Sequence, residues 1–298
     1  MQAGIQISPK AREYALDELF DSLLYSELAK REKNPENREL LLRMSEQERM
    51  HYEFWSKFSG SVTLEQRDKA RLRLLLALSR IFGKIFTIKF LERHEGSVVE
   101  EYREILNSGL LGPEDQRILE RIIEDERKHE SALANQIEEF AVKHLGAIAL
   151  GMSDAIIELS GVHAGFLGYT SSSVTTGIAG LIVGVSASMS MAAAAYLQSK
   201  QERGRSPGTT AAVTGVMYML TVVLLTAPFL AGLPILQALI LSLALAFIVL
   251  GVFSFYSAVV MDRAFKRDYV ENIGLIFLVV IIGYLFGEIV KKFTGITP

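Results

Sequence analysis

Residues 48–51 read Glu48-Arg49-Met50-His51, and residues 126–129 read Glu126-Arg127-Lys128-His129. A glutamate and a histidine three positions apart leave one face of an α-helix together. Each unit can therefore grip one metal ion while its glutamate reaches towards a second. A single unit of this kind is weak evidence, because surface helices are rich in Glu. Two copies, which hold two of the five histidines in the chain, are much stronger. The alternative reading is a pair of solvated charged faces.

The surroundings carry helix signals. Ser8-Pro9 and Asn34-Pro35 read as N-caps followed by first-turn prolines, Thr63 with Gln66 reads as a capping box, and Gly112-Pro113 ahead of Glu114 and Asp115 opens a further helix. The pattern predicts helices near 9–32, 35–58, 64–107 and 113–143, which form a four-helix bundle with the repeated unit on the second and fourth. A carboxylate-bridged two-iron site needs one inward Glu from each of the other two helices. Glu18 and Glu92 are available, and Glu95 lies one turn beyond Glu92.

Within the third predicted helix, residues 72–91 are too apolar for a bundle surface, and Arg73, Arg80 and Lys84 fall on one narrow stripe. That pattern suits an amphipathic helix over 70–90 lying in a membrane interface. An internal bundle helix is the other reading.

Charge divides the chain. Residues 1–145 hold 27 of the 34 acidic and 23 of the 31 basic side chains, so the domains are expected at 1–145 and 146–298. Five stretches in the second half reach the roughly 20 apolar residues that a membrane-spanning helix needs. They lie at about Gly146–Thr170, Thr176–Leu197, Thr209–Leu230, Leu236–Val260 and Ile273–Val290. Basic residues gather in two loops, Lys200, Arg203 and Arg205 in one and Arg263, Lys266 and Arg267 in the other. By the positive-inside rule these loops and the N-terminal domain share the cytoplasmic side of the cell membrane. The absence of an apolar signal segment agrees, while Lys291 and Lys292 would then lie outside. A net charge of -3 gives no basic footprint for nucleic acid. With no cysteine, disulfides and thiolate metal sites are excluded.

Few ionisable groups fall inside the spans: Asp154, Glu158 and His163 in the first and Glu288 in the fifth. A carboxylate at bilayer depth costs at least about 2.5 kcal/mol, which implies a polar path or a cation partner. Asp154 and Glu158, four apart, share a helix face and suit a divalent cation exchanged against protons. Read more plainly, Asp154 is hydrated near the surface and Glu158 supports a helix contact. His163 reads as a hydrogen-bonded packing residue. Met191, in a run of small residues on the second span, offers a thioether that discriminates against hard cations, or simply packs.

On these residues the first half resembles the rubrerythrin-like branch of the ferritin superfamily over roughly 10–143. The family pattern of Glu then Tyr is met by Glu18 and Tyr25, its two Glu-x-x-His units by Glu48 with His51 and Glu126 with His129, and its Glu-x-x-Glu by Glu92 and Glu95. The resemblance implies a di-iron site in a ferritin-like bundle, and the same N and O ligands also bind manganese. It lacks the cysteine-rich rubredoxin module, which argues against peroxidase activity.

The second half resembles the vacuolar iron transporter family, through Gly151-Met152-Ser153-Asp154 with Glu158 and through Ser190-Met191 up to Tyr196. In that family the first-span acid and the second-span methionine lie on the ion path of a homodimer that exchanges Fe(II) for protons. Carried over, these are Asp154 and Met191, with Glu158 beside them. Ala194-Ala195 replaces a frequent Gly-Glu pair, and only Gln198–Pro207 stands where plant members carry an acidic insert. The expectation is an all-α protein: a ferritin-like bundle that captures or senses metal, then a five-helix membrane domain that exports Fe(II), in preference to Mn(II), by proton antiport. A membrane-anchored ferroxidase is the alternative.

Overall fold

The computed structural model of the chain describes residues 2–92, 96–136, 140–202 and 206–295, with side chains over 10–91, 98–129, 140–202 and 206–295. Among them all regular structure is helical, as the sequence led us to expect. The chain divides into two compact units, Met1–Glu139 and Phe140–Pro298.

The first unit begins with α1 (Gln2–Lys30) and α2 (Pro35–Ser59), which pack along each other. Their buried stripes follow helical spacing, Ala11, Tyr14, Ala15, Glu18, Ser22, Tyr25 and Leu28–Ala29 on α1, and Asn37, Leu40, Leu41, Met44, Glu48, His51 and Trp55 on α2. Glu18, Glu48 and His51 thus occupy positions that an ordinary core would fill with apolar side chains. A reciprocal pair clasps the two helices, since Ser22 Oγ donates to the Ser45 carbonyl and Ser45 Oγ to the Ser22 carbonyl, each at 2.8 Å. Asn34 caps α2 as its sequence indicated, accepting from Glu36 N at 2.9 Å.

Several expected boundaries move. Helix α1 already runs from Gln2, so Ser8 and Pro9 lie inside it, at the cost of the hydrogen bond that a proline cannot donate. The long third helix is three pieces, α3 (Gln66–Phe82), α4 (Lys84–Glu92) and α5 (Gly96–Asn107). The first break is at Gly83, whose φ of +88° is readily open only to glycine. The box that starts α3 pairs Glu65 with Asp68 instead of Thr63 with Gln66. Helix α6 spans Pro113–Gln136, and the short α7 (Phe140–Lys143) opens the second unit. The break at Gly83 divides the stretch 70–90 that was read as interfacial: Ile85, Phe86, Ile88 and Leu91 of α4 are buried, whereas Leu74 and Ile81 of α3 are exposed.

The second unit contains α8 (Leu145–Tyr169), α9 (Ser173–Ser199), α10 (Pro207–Leu230), α11 (Ile235–Val260) and α12 (Phe265–Thr294), each long and apolar enough to cross a membrane. Helix α12 starts eight residues before the predicted span; Asp268 stands in its first turn and Arg267 pairs with Glu271 at 3.0 Å. Large apolar side chains such as Ile182, Met189, Ile240 and Phe286 remain exposed around these helices, the pattern of a surface solvated by lipid. Helix α8 is central and packs against all four others.

Close approach there depends on small residues. A Cβ placed on Gly287 of α12 would lie 1.9 Å from the Gly165 carbonyl oxygen of α8, and one on Gly283 2.5 Å from that of Gly161. Gly287→Val is expected to force these helices apart and destabilise the unit by at least the 1–3 kcal/mol or so of ordinary overpacking. Thermal unfolding of the detergent-solubilised chain, read by helical circular dichroism, checks it.

Candidate metal centre

Four side chains from three helices converge in the first unit. Glu18 from α1, Glu48 and His51 from α2 and Glu126 from α6 each offer one ligand atom, and these atoms all lie within 4.8 Å of one another. Ligands of one divalent ion at about 2.0–2.2 Å stand no more than about 4.4 Å apart, so a small contraction would close a shell.

The two Glu-x-x-His units face each other. His51 Nδ1 is 3.2 Å from Glu48 Oε2 and 3.0 Å from Glu126 Oε1. His129 Nδ1 is 3.0 Å from Glu48 Oε1 and 4.0 Å from Glu126 Oε2. Each carboxylate therefore presents one oxygen to each imidazole, and the rings stack with centroids 6.2 Å apart. Carboxylates placed in this way would be able to hold a metal together with either imidazole.

The imidazole nitrogens test the fit. His51 Nδ1 and Nε2 and His129 Nδ1 are buried and make no aligned hydrogen bond, although carboxylate oxygens stand 3.0–3.8 Å away. Buried polar atoms left in this way are costly. They converge on shared points instead of pairing, and the mixed nitrogen and oxygen donor set suits iron or manganese. The residues present fit a bound transition metal. Bound there, it would supply redox or Lewis-acid chemistry, while the protein positions the donors and limits water. Glu92 closes α4, but its side chain, like all of Glu95, lies outside the described residues. The acid expected from the third helix is thus not placed.

Electrostatics here are tense. Burial pushes the Glu18 carboxyl up to about 7, against the pull of His51. Burial would lower His51, but Glu18, Asp125 and Glu126 outweigh it and hold the imidazole well above its ordinary value. Burial and the charge of Glu126 would raise Glu48, yet the imidazoles of His129 and His51 beside it keep it below the usual range.

The sequence reading missed several participants. Asp125 Oδ2 lies 3.8 Å from His51 Nε2, and Gln47 Oε1 lies 3.0 Å from His129 Nε2. Both precede a recognised ligand by one residue, and that adjacency was the available signal. Tyr102, on α5, donates its hydroxyl to Glu18 Oε1 at 2.6 Å. It is buried against Tyr14 and Trp55, with ring centroids 5.0 and 4.9 Å away. No local motif announced it. Because groups that hold a metal ligand in place are worth about 10–100-fold in affinity, Tyr102→Phe is expected to weaken metal binding on that scale. Titration with Co(II), followed by its visible absorption, checks this.

A cavity of about 240 Å³ opens onto Glu18, Glu48 and Glu126 and is rimmed by Asp17, Asp21 and Arg71. It gives small solutes a way to the donors.

In the second unit Asp154 and Glu158 are half-buried on α8, and Glu158 accepts a hydrogen bond from the Tyr218 hydroxyl of α10. Met191 of α9 packs against the cluster that contains Tyr218, Met152 and Leu159. His163 departs from expectation. It is wholly buried against the Phe229 ring at 4.3 Å, and neither nitrogen hydrogen-bonds to any described residue. Aromatic packing in the α8–α10 contact takes the place of the expected bond.

Comparison with known proteins agrees with the first of these constellations. Neither the curated proteins nor the solved structures yield a match, and the second half finds no match to the vacuolar iron transporter family. The family model for rubrerythrin matches residues 15–137, the stretch that contains every donor described above. The N-terminal unit is therefore a rubrerythrin-type, ferritin-like domain, joined to a C-terminal unit of five membrane-length helices.

Proposed function

We propose that this chain exports a divalent transition metal across the cell membrane, Fe(II) in preference to Mn(II), by exchange against protons. The ferritin-like domain stands in the cytoplasm in this reading and captures or senses the metal through Glu18, Glu48, His51, Glu92, Glu126 and His129, with Glu95 as a further donor. Asp154 and Glu158 take the cargo into the membrane unit, and Met191 adds a soft contact that disfavours magnesium. Return protonation of the two carboxylates releases the cargo on the far side. A homodimer is part of the proposal, by resemblance to the vacuolar iron transporters.

One observation carries the transport reading: a carboxylate pair on α8, inside a membrane-length helix, with a tyrosine hydroxyl on one of its members. A mere anchor needs no acid at bilayer depth, where each is unfavourable. The test is metal uptake and proton movement in liposomes holding the purified chain, with Fe(II), Mn(II) and Mg(II) compared without oxygen. Coupled movement with Fe(II) or Mn(II) but not Mg(II) supports the reading; none with any metal, in inserted protein, refutes it.

A second reading, a membrane-anchored ferroxidase, draws on the cavity that reaches Glu18, Glu48 and Glu126. Such a chain would oxidise Fe(II) with dioxygen and give no flux in the liposome assay.

A further inference from the structure

We propose that the outer face of α3 docks onto an anionic phospholipid surface. The inference rests on the membrane insertion of the second unit, not on transport.

Helix α3 turns Leu75, Leu76 and Ser79 into the first unit. On its opposite side Ala70, Leu74, Ala77 and Ile81 are all exposed, Leu74 by 59% and Ile81 by 75%. Their spacing of four, three and four residues lays them in one strip along the helix. At about 100° per residue, Lys69, Arg73 and Arg80 fall along one flank of that strip and Arg67 and Arg71 along the other. All five cations are exposed. Arg71 lies over the Phe20 ring at 4.9 Å, while Arg67, Lys69, Arg73 and Arg80 meet no carboxylate among the described residues. The nearby acids, Glu65 and Asp68, are engaged in the helix cap. An apolar strip between two cationic edges is what an interfacial helix presents to lipid: apolar side chains dip towards the acyl boundary while Lys and Arg meet phosphates.

The occupant follows from the same features. Five membrane-length helices in the same chain keep a bilayer within reach, so the contact needs little affinity of its own. A second copy is disfavoured, because a two-fold contact through this strip would set the five cations against their own counterparts. The contact ends at Gly83, beyond which Lys84 pairs with Glu32 and the large apolar residues of α4 turn inward.

The chain has no cysteine, so single labels can be placed at will. Ile81→Cys, Glu46→Cys on the exposed surface of α2 and Phe286→Cys on the exposed surface of α12 would each carry an environment-sensitive fluorophore. The full chain would be reconstituted in vesicles of phosphatidylcholine with or without phosphatidylglycerol, some containing quencher-labelled lipids. Quenching at position 81 several-fold above that at position 46, in the anionic vesicles, is expected. Replacing Lys69, Arg73 and Arg80 by Glu should lower the docked population by at least about fivefold for each cation removed. Unchanged Trp55 emission would show that the variant's bundle is still folded. Quenching at 81 no greater than at 46 overturns the proposal, as does equal shielding of 81 in detergent without lipid, which would mark a contact with another copy. If position 286 itself escapes quenching, the membrane reading fails and this inference fails with it; quenching at 286 but not at 81 sinks the inference alone.

Discussion

Asp154→Ala is expected to lower metal-coupled proton movement in liposomes by on the order of 100-fold or more, since losing even a group that only supports a metal ligand costs about 10–100-fold. Binding of Co(II) to the N-terminal unit should be unchanged, because Asp154 belongs to the other compact unit. Glu158→Gln should fall between the variant and the parent: the amide oxygen still accepts from Tyr218, but the side chain can no longer carry a proton. Proton counterflow measured with a pH-sensitive dye, alongside metal uptake, separates the two roles. Full flux in Asp154→Ala would remove that residue from the path and leave the membrane unit without its strongest candidate ligand.

Removing metal from the bundle is expected to reverse its response to pH. Glu18 in the folded, metal-free protein titrates near 7 because burial disfavours its charge, against an ordinary value of 4.5. The native state therefore holds an extra proton between those values, and stability falls as pH rises through that window, by on the order of 2–3 kcal/mol. His51 is shifted upward as well. Its contribution is complete below its unfolded value of 6.5 and is lost as pH climbs through the higher folded one, which adds to the same trend. Glu48 is shifted downward, so its contribution is present above 4.5 and disappears only as pH falls through its lower folded value.

The metal-free unit should thus be most stable in mildly acid solution and weaken towards pH 8. Metal requires the same groups deprotonated, so its stabilising effect should grow over that range. The chain has one tryptophan, Trp55, buried in this unit, so its emission during urea unfolding follows the bundle within the whole protein. A metal-free midpoint that rises between pH 6 and pH 8 would contradict the assignment of Glu18 and His51 as the proton-holding pair. His51→Ala should remove most of the metal-dependent stabilisation at pH 8.

Much of this architecture could be read from residue order alone, for a physical reason that differs between the halves. Five apolar stretches in a nearly charge-free region specify membrane-length helices, because backbone polar groups in hydrocarbon must be satisfied within the segment. In the first half, Glu48 with His51 and Glu126 with His129 were legible because helical spacing is local. Boundaries were less so. Glu65 and Asp68 outcompeted Thr63 for the start of α3, and Gly83 ended that helix through a conformation which glycine permits but does not require.

What the sequence by itself determined is therefore the helical class, the five long apolar segments and the paired Glu-x-x-His units. Each depends on groups a few residues apart. Only the tertiary structure decided that Glu48 and Glu126 each span both histidines, that Tyr102 reaches Glu18 across 84 positions, and that α3 turns its cationic, apolar face outward while α4 turns inward. These facts depend on how helices rotate and pack against one another, and no spacing within a single helix encodes that.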